Sequence, residues 1–262
     1  MSFANKSPAE TRKDLLYVDN SNNGVDSTVR SVKSGSGSDS SVSVSDRSLK
    51  VKSATDNTAA LDVQNSGGTT KFLVDTTNSY VKANGVFVNT QYAYFGVEAG
   101  QMSGLALGTH YAIPFQNTVI SGGQNDVDFG TGTDPATTFT TANTDTQYAS
   151  QIVSMMWLVP DAISIDSVTA IEGADAATGD TTRMHLLSYT FTSGSTSCLT
   201  SGTLLAHNSD VTNAGNEQAY KTAFTIDSAA VAADKVILAF IRADSVNSDY
   251  SVNITVKYHI TG

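Results

Sequence analysis

A chain of 262 residues is long enough for one large domain or two modest ones, and this one is 40 % hydrophobic but only 15 % charged. The missing charge is replaced by Ser, Thr, Asn, Asp and Gly, residues of turns and pleated surfaces rather than helix interiors. A net charge of −10 excludes the clustered cationic surface that nucleic acid requires, the single cysteine, Cys198, excludes an intrachain disulfide, and no apolar run is long enough to insert in a membrane.

The first six residues, Met1 to Lys6, lack the charged start and apolar core of a signal peptide. Synthesis in a cytoplasm is therefore expected. Ser7-Pro8-Ala9-Glu10 reads as a helix cap with Pro at the first helical position, and Leu15-Leu16-Tyr17-Val18 as a short apolar strand. This mixed-charge start suits a docking peg.

From residue 28 onwards, short alternating runs recur: Thr28–Val32, Ser41–Val44, Ser48–Val51, Ala60–Val63, Lys71–Val74 and Ser79–Val81. Turn formers separate them, among them Gly35-Ser36-Gly37, Asn65-Ser66-Gly67-Gly68 and Asn84-Gly85. Four-residue strands at this spacing predict a β-meander. Its apolar content is thin, since Leu, Ile, Val and Phe number only seventeen of the first 82 residues. Ordering a residue costs roughly 1–2 kcal/mol, and a buried Val or Leu returns about 1.5–3 kcal/mol. A lone chain comes out near zero; three copies around an axis would bury the stripe and hide the sheet edges. The competing reading of residues 20–60 is a Ser/Gly linker, against which the regular Val and Leu positions argue.

Charge divides the chain at the same region. Residues 1–82 carry ten Lys/Arg and nine Asp/Glu, residues 83–262 five and sixteen, which suggests separate jobs. The second part has longer strand candidates: Tyr92–Phe95, Tyr111–Ile113, Ile152–Val159 (apolar on both faces, hence expected to be central), Ile163–Ile171, Arg183–Tyr189, Tyr220–Ile226 and Lys235–Ile241. In the last, Val252, Ile254, Val256, Tyr258 and Ile260 share one face, and Asn253, Thr255, Lys257 and His259 the other. About eight strands without a helical period predict a β-sandwich, jelly-roll-like. The expected organisation is all-β: an attachment segment over 1–27, a trimeric β-meander shaft over 28–89 and a sandwich head over 90–262.

Chemistry is sparse. His110, His185, His207 and His259 lack zinc spacing, and His185 and His259 read as ordinary sheet-face positions. Gly100-Gln101-Met102-Ser103-Gly104 has the wrong spacing for a nucleophile elbow. Polysaccharide cleavage would need two carboxyls held roughly 5–10 Å apart; Glu98, Glu172 and Glu217 are the candidates, but nothing pairs them on one face. Asn125 to Asp134 offers oxygen ligands for calcium, yet Gly130 occupies a ligand place and Thr137 stands where a bidentate Glu is needed, so a solvated loop is expected. Cys198 has no supporting His pattern. Tyr92, Tyr94, Phe95, Tyr111, Phe139, Tyr148 and Tyr220 could stack on sugars or fill the core. The expectation is no catalytic residue, no metal and no cofactor.

Asp14 to Asn22, with Gly24 to Lys33, resembles openings of structural proteins of tailed bacteriophages, marine ones in particular. Ala60–Asn65, Lys71–Asp75 and Val81–Gly85 are similar to stalk repeats of phage fibre proteins. Trp157–Pro160, Ala176–Asp180 and Val256–Ile260 resemble their sandwich heads. The resemblance implies a homotrimer attached by its N-terminus with the head pointing outwards; the expectation is a non-enzymatic virion-surface protein bound through residues 1–27 to capsid or tail proteins, the alternative a tail fibre or spike whose head recognises host surface polysaccharide. A meander rising only about 3.3 Å per residue along each strand cannot reach far, which favours a capsid-surface fibre or decoration protein over a long tail fibre.

Overall fold

The computed structural model describes residues 15–98 except 22, then 105, 108–116, 129, 148–175, 178–199, 201–215, 217–243 and 249–261. The chain is all-β and divides into two compact units, residues 1–88 and 89–262.

The first unit holds two antiparallel meanders. One consists of β1 (Leu16–Val18), β2 (Arg30–Ser34), β3 (Asp39–Val44) and β4 (Leu49–Val51); the other of β5 (Leu61–Gln64), β6 (Thr70–Asp75), β7 (Tyr80–Ala83) and β8 (Val86–Phe87). Alternating Val and Leu between turn residues makes these strands. Asn84 and Gly85 both adopt positive φ (50° and 81°) between the paired Ala83 and Val86, the two-residue hairpin that this dipeptide favours. One difference from expectation concerns the attachment segment: Leu16–Val18 pairs with β2, Val18 opposite Val32, so the segment is continuous with the first meander. The helical turn expected from Ser7 lies outside the described residues.

The second unit is a sandwich of two sheets. β9 (Thr90–Val97), β12 (Ile163–Asp175), β16 (Gln218–Ala223) and β20 (Asp249–Ile260) form one, in the order β16-β12-β20-β9, with β18 (Ala230–Val231) beside β12. The other runs β10 (His110–Ile113), β19 (Lys235–Ala243), β13 (Thr181–Thr190), β14 (Thr203–His207), β17 (Thr225–Ile226), with β11 (Trp157–Val159) on β19 and β15 (Val211–Thr212) on β13. Setting the short strands aside, the first, eighth, third and sixth strands share one sheet and the second, seventh, fourth and fifth the other. This is the jelly-roll order of two interlocked Greek keys.

The core lies between the sheets. Phe95, Ile165, Val168, Ala170, Ile254 and Val256 from one meet Ile113, Met184, Leu186, Ile237, Ala239 and Ile241 from the other. A second cluster covers the far side of β19 and β13, where Val236, Leu238, Phe240, Leu187 and Tyr189 pack against Phe129, Ile152, Met155 and Leu199. That sheet is buried on both faces, which is why Val236–Ile241 reads as an unbroken apolar run. Ile152–Val159 is not the central strand its composition suggested. Ala149–Gln151 and Val153–Met155 are 3₁₀ turns, and only Trp157–Val159 is strand. The apolar residues on both sides serve a covering segment, with Ile152 and Met155 inward and Val153 and Leu158 exposed.

Two irregularities set the outer surface. β12 bulges between Ile165 and Ser167 against β20, and the extra residue shifts the alternation. Unbroken alternation from Ile163 would carry Ile171 inward; the bulge turns it out to solvent, 53 % exposed. Beyond Ala223 the chain crosses between sheets, β16 lying in one and β17 in the other, with Phe224 buried at the crossing.

Candidate interaction surfaces

Directly opposed residues in an antiparallel pair share a face, so register assigns the faces of the meanders. In the first, Val18 opposes Val32, Val42 opposes Val51 and Val44 opposes Leu49. These side chains, with Leu16, line one side; Tyr17, Lys33, Ser43 and Lys50 line the other. In the second, Leu61–Val74–Val81 and Val63–Phe72–Ala83–Val86 form two cross-strand rows on one side. Asp62, Leu73, Lys82 and Phe87 run across the other, where the Lys82 ammonium lies 4.3 Å from the Phe87 ring centre.

The described residues cover neither apolar face fully. Leu16 is 72 % and Leu49 69 % exposed, and among the described residues of this unit no apolar side chain is buried. The one buried residue among those described in this unit is Asp75, whose carboxylate accepts hydrogen bonds from the Asn78 backbone and side-chain nitrogens, each 2.8 Å. Two sheets, each with one apolar and one mixed side, are half-built sandwiches; the described residues supply neither with a second layer.

In the head, an aromatic groove of about 310 Å³ opens beside the edge strand β9. Trp157 forms its floor, stacked on Phe115 (centroids 5.9 Å, planes 6° apart) and tilted against Tyr258 at 4.9 Å. Tyr92 and Tyr94 form one wall, and Gln116 and Leu158 the rest. Gln116 holds its place by donating its backbone N–H to the Tyr94 carbonyl, 2.8 Å. Because alternate residues of a strand aim their backbone groups at the same edge, the N–H and C=O of Tyr92 face this open side too. Among the described lining residues, tyrosine is the only ionisable type. Tyr92 and Tyr94 were among the sequence candidates; Trp157, Phe115 and Tyr258 were not. The apolar face that Tyr258 shares with Val252, Ile254 and Val256 was the available signal for it.

The remaining candidates are dispersed. Glu98 is exposed just past β9 and Glu217 is exposed just before β16. Glu172 is buried inside the sandwich, where desolvation, opposed by the Thr182 hydroxyl and reinforced by the Asp180 charge, pushes its pKa up to about 7. His207 pairs with Asp227 (2.7 Å) and His259 with Asp166 (2.9 Å); the His110 and His185 rings lie 5.2 Å apart in the interior. Among the described residues, no three His, Cys, Asp or Glu gather as metal ligands. Cys198 is a partly buried free thiol bridged by backbone to Tyr148, beside a Ser/Thr-lined hollow of about 320 Å³. Phe95 is core, Tyr111 is buried and Tyr220 bonds to Gln218. Phe139 and the acidic loop from Asn125 to Asp134, apart from Phe129, lie outside the described residues.

No protein-family model matches this chain, and no curated protein is significantly similar to it.

Proposed function

We propose that this chain is a non-enzymatic structural appendage of a tailed-phage particle: a homotrimeric short fibre or decoration protein, anchored through residues 1–27, with its head pointing outwards. The observation that carries the reading is the pair of uncovered apolar faces between Leu16 and Val86. A contiguous greasy face of this kind is a contact surface waiting for its partner. Sister chains are the simplest partner, because every copy brings the same face and three around an axis leave little edge exposed. The jelly roll supports the reading only by analogy, as a fold common among viral surface proteins.

The decisive measurement is the mass of the intact protein by light scattering. Three times the 27.4 kDa chain mass is expected. A stable monomer whose first 88 residues resist protease would sink the proposal.

A second reading, that the head recognises host surface polysaccharide, is favoured by the groove. Flat aromatic walls suit the apolar faces of sugar rings, and the Gln116 amide and open β9 backbone groups suit hydroxyls. With no carboxylate or cation among its described lining residues, the groove favours a neutral sugar. A glycan array probed with the protein tests this; no signal with any neutral glycan would end it. Cleavage of such a polymer is the weakest reading, since Glu172 is enclosed in the core.

A further inference from the structure

The first unit repeats itself. Asp26 and Asn57 stand 31 residues apart and make the same turn. The side-chain oxygen of each accepts from the backbone N–H two residues on, that of Thr28 (2.9 Å) or Ala59 (2.8 Å). Each backbone carbonyl then accepts from the end of a returning strand: Asp26 from the Asp46 N–H at 2.8 Å, Asn57 from the Thr76 N–H at 3.0 Å. The first hairpin turns coincide as well. The Ser34 N–H donates to the Ser38 carbonyl and the Gly37 N–H to that of Ser34; the Asn65 N–H donates to the Thr69 carbonyl and the Gly68 N–H to that of Asn65. Gly37 and Gly68 both take positive φ, 88° and 79°.

Both hairpins slip register at the same place, between Ser31 and Lys33 and between Val63 and Gln64. The returning strand of the second is one residue shorter, so the period there is 30. On that count Val32, Val42, Val44 and Val51 correspond to Val63, Phe72, Val74 and Val81, and all of them lie on the apolar sides. Ser45 and Asp75, also equivalent, each cap the backbone N–H three residues on, at Ser48 and Asn78. The third strands differ by two residues in register: Val51 opposes Val42, and its counterpart Val81 opposes Val74. A shift of two keeps the face, since alternate residues share it. Asp26 against Asn57, Ser34 against Asn65 and Ser45 against Asp75 share a role rather than an identity, which hides the repeat from a residue-by-residue comparison.

One apolar surface thus occurs twice in one chain, a fixed number of residues apart. Repeat units that cannot bury their own faces need about three or more neighbours to form a stable array. This chain holds two, and its described residues cover neither. A partner that meets both in the same manner must itself repeat with the same period. An unrelated protein would need a matching repeat of its own, whereas a sister chain has it by construction.

We propose that residues 26–52 and 57–83 are two copies of one assembly module, each docking on the like module of sister chains, so that the shaft is built in whole modules and their number sets its length. Trimerisation itself comes from the appendage reading, on which this rests; the repeat adds the unit in which the contact is made. The modules differ where slippage has to be prevented. Arg30, paired with Asp26, opposes Val44 on the apolar side, at the place where the second module has Leu61 opposing Val74. A chain displaced by one module would set that charge among the Leu and Phe of its neighbours, and the mismatch holds the chains in register.

The test changes the number of modules in the full chain. Duplicating residues 26–56 adds one whole period, and duplicating residues 42–56 adds about half of one. Deleting residues 26–56 joins Val25 to Asn57, the equivalent of Asp26. By light scattering the wild type and the whole-period duplication are both expected to be trimers. The urea midpoint for dissociation should rise in the duplication and fall in the deletion. Protease samples the opened chain, so cleavage within the first unit should be roughly tenfold slower in the whole-period variant than in the half-period one. Insertions that are cleaved alike, midpoints that fail to move in opposite directions, or a whole-period variant that is no longer trimeric would overturn the module and leave the wild-type trimer standing. A monomeric wild-type chain would overturn the module and the appendage reading together.

Discussion

The Thr182 hydroxyl lies 2.7 Å from both carboxyl oxygens of Glu172 inside the sandwich. One hydroxyl carries one proton and can donate to only one of them; a protonated carboxyl supplies the other bond by donating back. Burial already favours that neutral form, raising the pKa from 4.5 to about 7. The folded state then binds a proton that the unfolded chain has released. The stabilisation is complete below about pH 4.5 and is lost as pH rises through about 7, worth about 3 kcal/mol at most. Urea midpoints between about pH 5 and 8 should fall with rising pH in the wild type. In Glu172→Gln that fall should flatten, and an undiminished slope would rule out Glu172 as its source.

On the second meander, Val74 stands in the row with Leu61 and Val81. In a lone chain it is half-covered, and Val74→Asp would cost under about 1 kcal/mol. Buried between copies, the unpaired carboxylate would cost several times more. The expected outcome is loss of the full-chain trimer and rapid proteolysis before residue 89. Asp62→Asn, on the opposite side of the same sheet, should change neither.

Gly202 has no room for a side chain. A methyl group there would sit 2.5 Å from Cε1 of Tyr189 and 2.6 Å from Cζ, in a ring that is fully buried in the second cluster. Gly202→Ala should destabilise the head by about 1–3 kcal/mol through overpacking, read as a lower urea midpoint with an altered near-ultraviolet tyrosine signal.

The groove's walls and floor differ in what they hold up. Trp157 is 6 % exposed and touches Phe95, Phe115 and Tyr258, so Trp157→Ala should cost about 3–5 kcal/mol. Tyr92→Ala, at an exposed position, should stay within about 1 kcal/mol. Loss of sugar binding in Tyr92→Ala at unchanged melting temperature would therefore report recognition; the same loss in Trp157→Ala would report folding.

Strands with one apolar face were legible from residues alone, because alternation is a local property. Leu61-Asp62-Val63 and Val252 to Tyr258 fell where their spacing put them. Ile152–Val159 misled, because a segment lying over a sheet and a strand inside one share the same apolar run. The bulge that exposes Ile171 depends on pairing with β20, a relation between distant segments that no local pattern encodes. The aromatic groove was half visible for the same reason: Tyr92 and Tyr94 announce themselves in one strand, while Phe115, Trp157 and Tyr258 meet them only through the fold.

The edge strand β9 hydrogen-bonds to β20, and the Asn89 amide donates to the Ile260 carbonyl, 171 residues later. The first strand of the head can thus pair early with the short stretch around Phe115, but its main partner, β20, follows far later in the chain. Both meanders are synthesised long before β20, with their greasy sides bare. Were sister chains to cover those sides, as proposed above, nascent chains on one polysome would zip together from the leading end while each head is still unfinished.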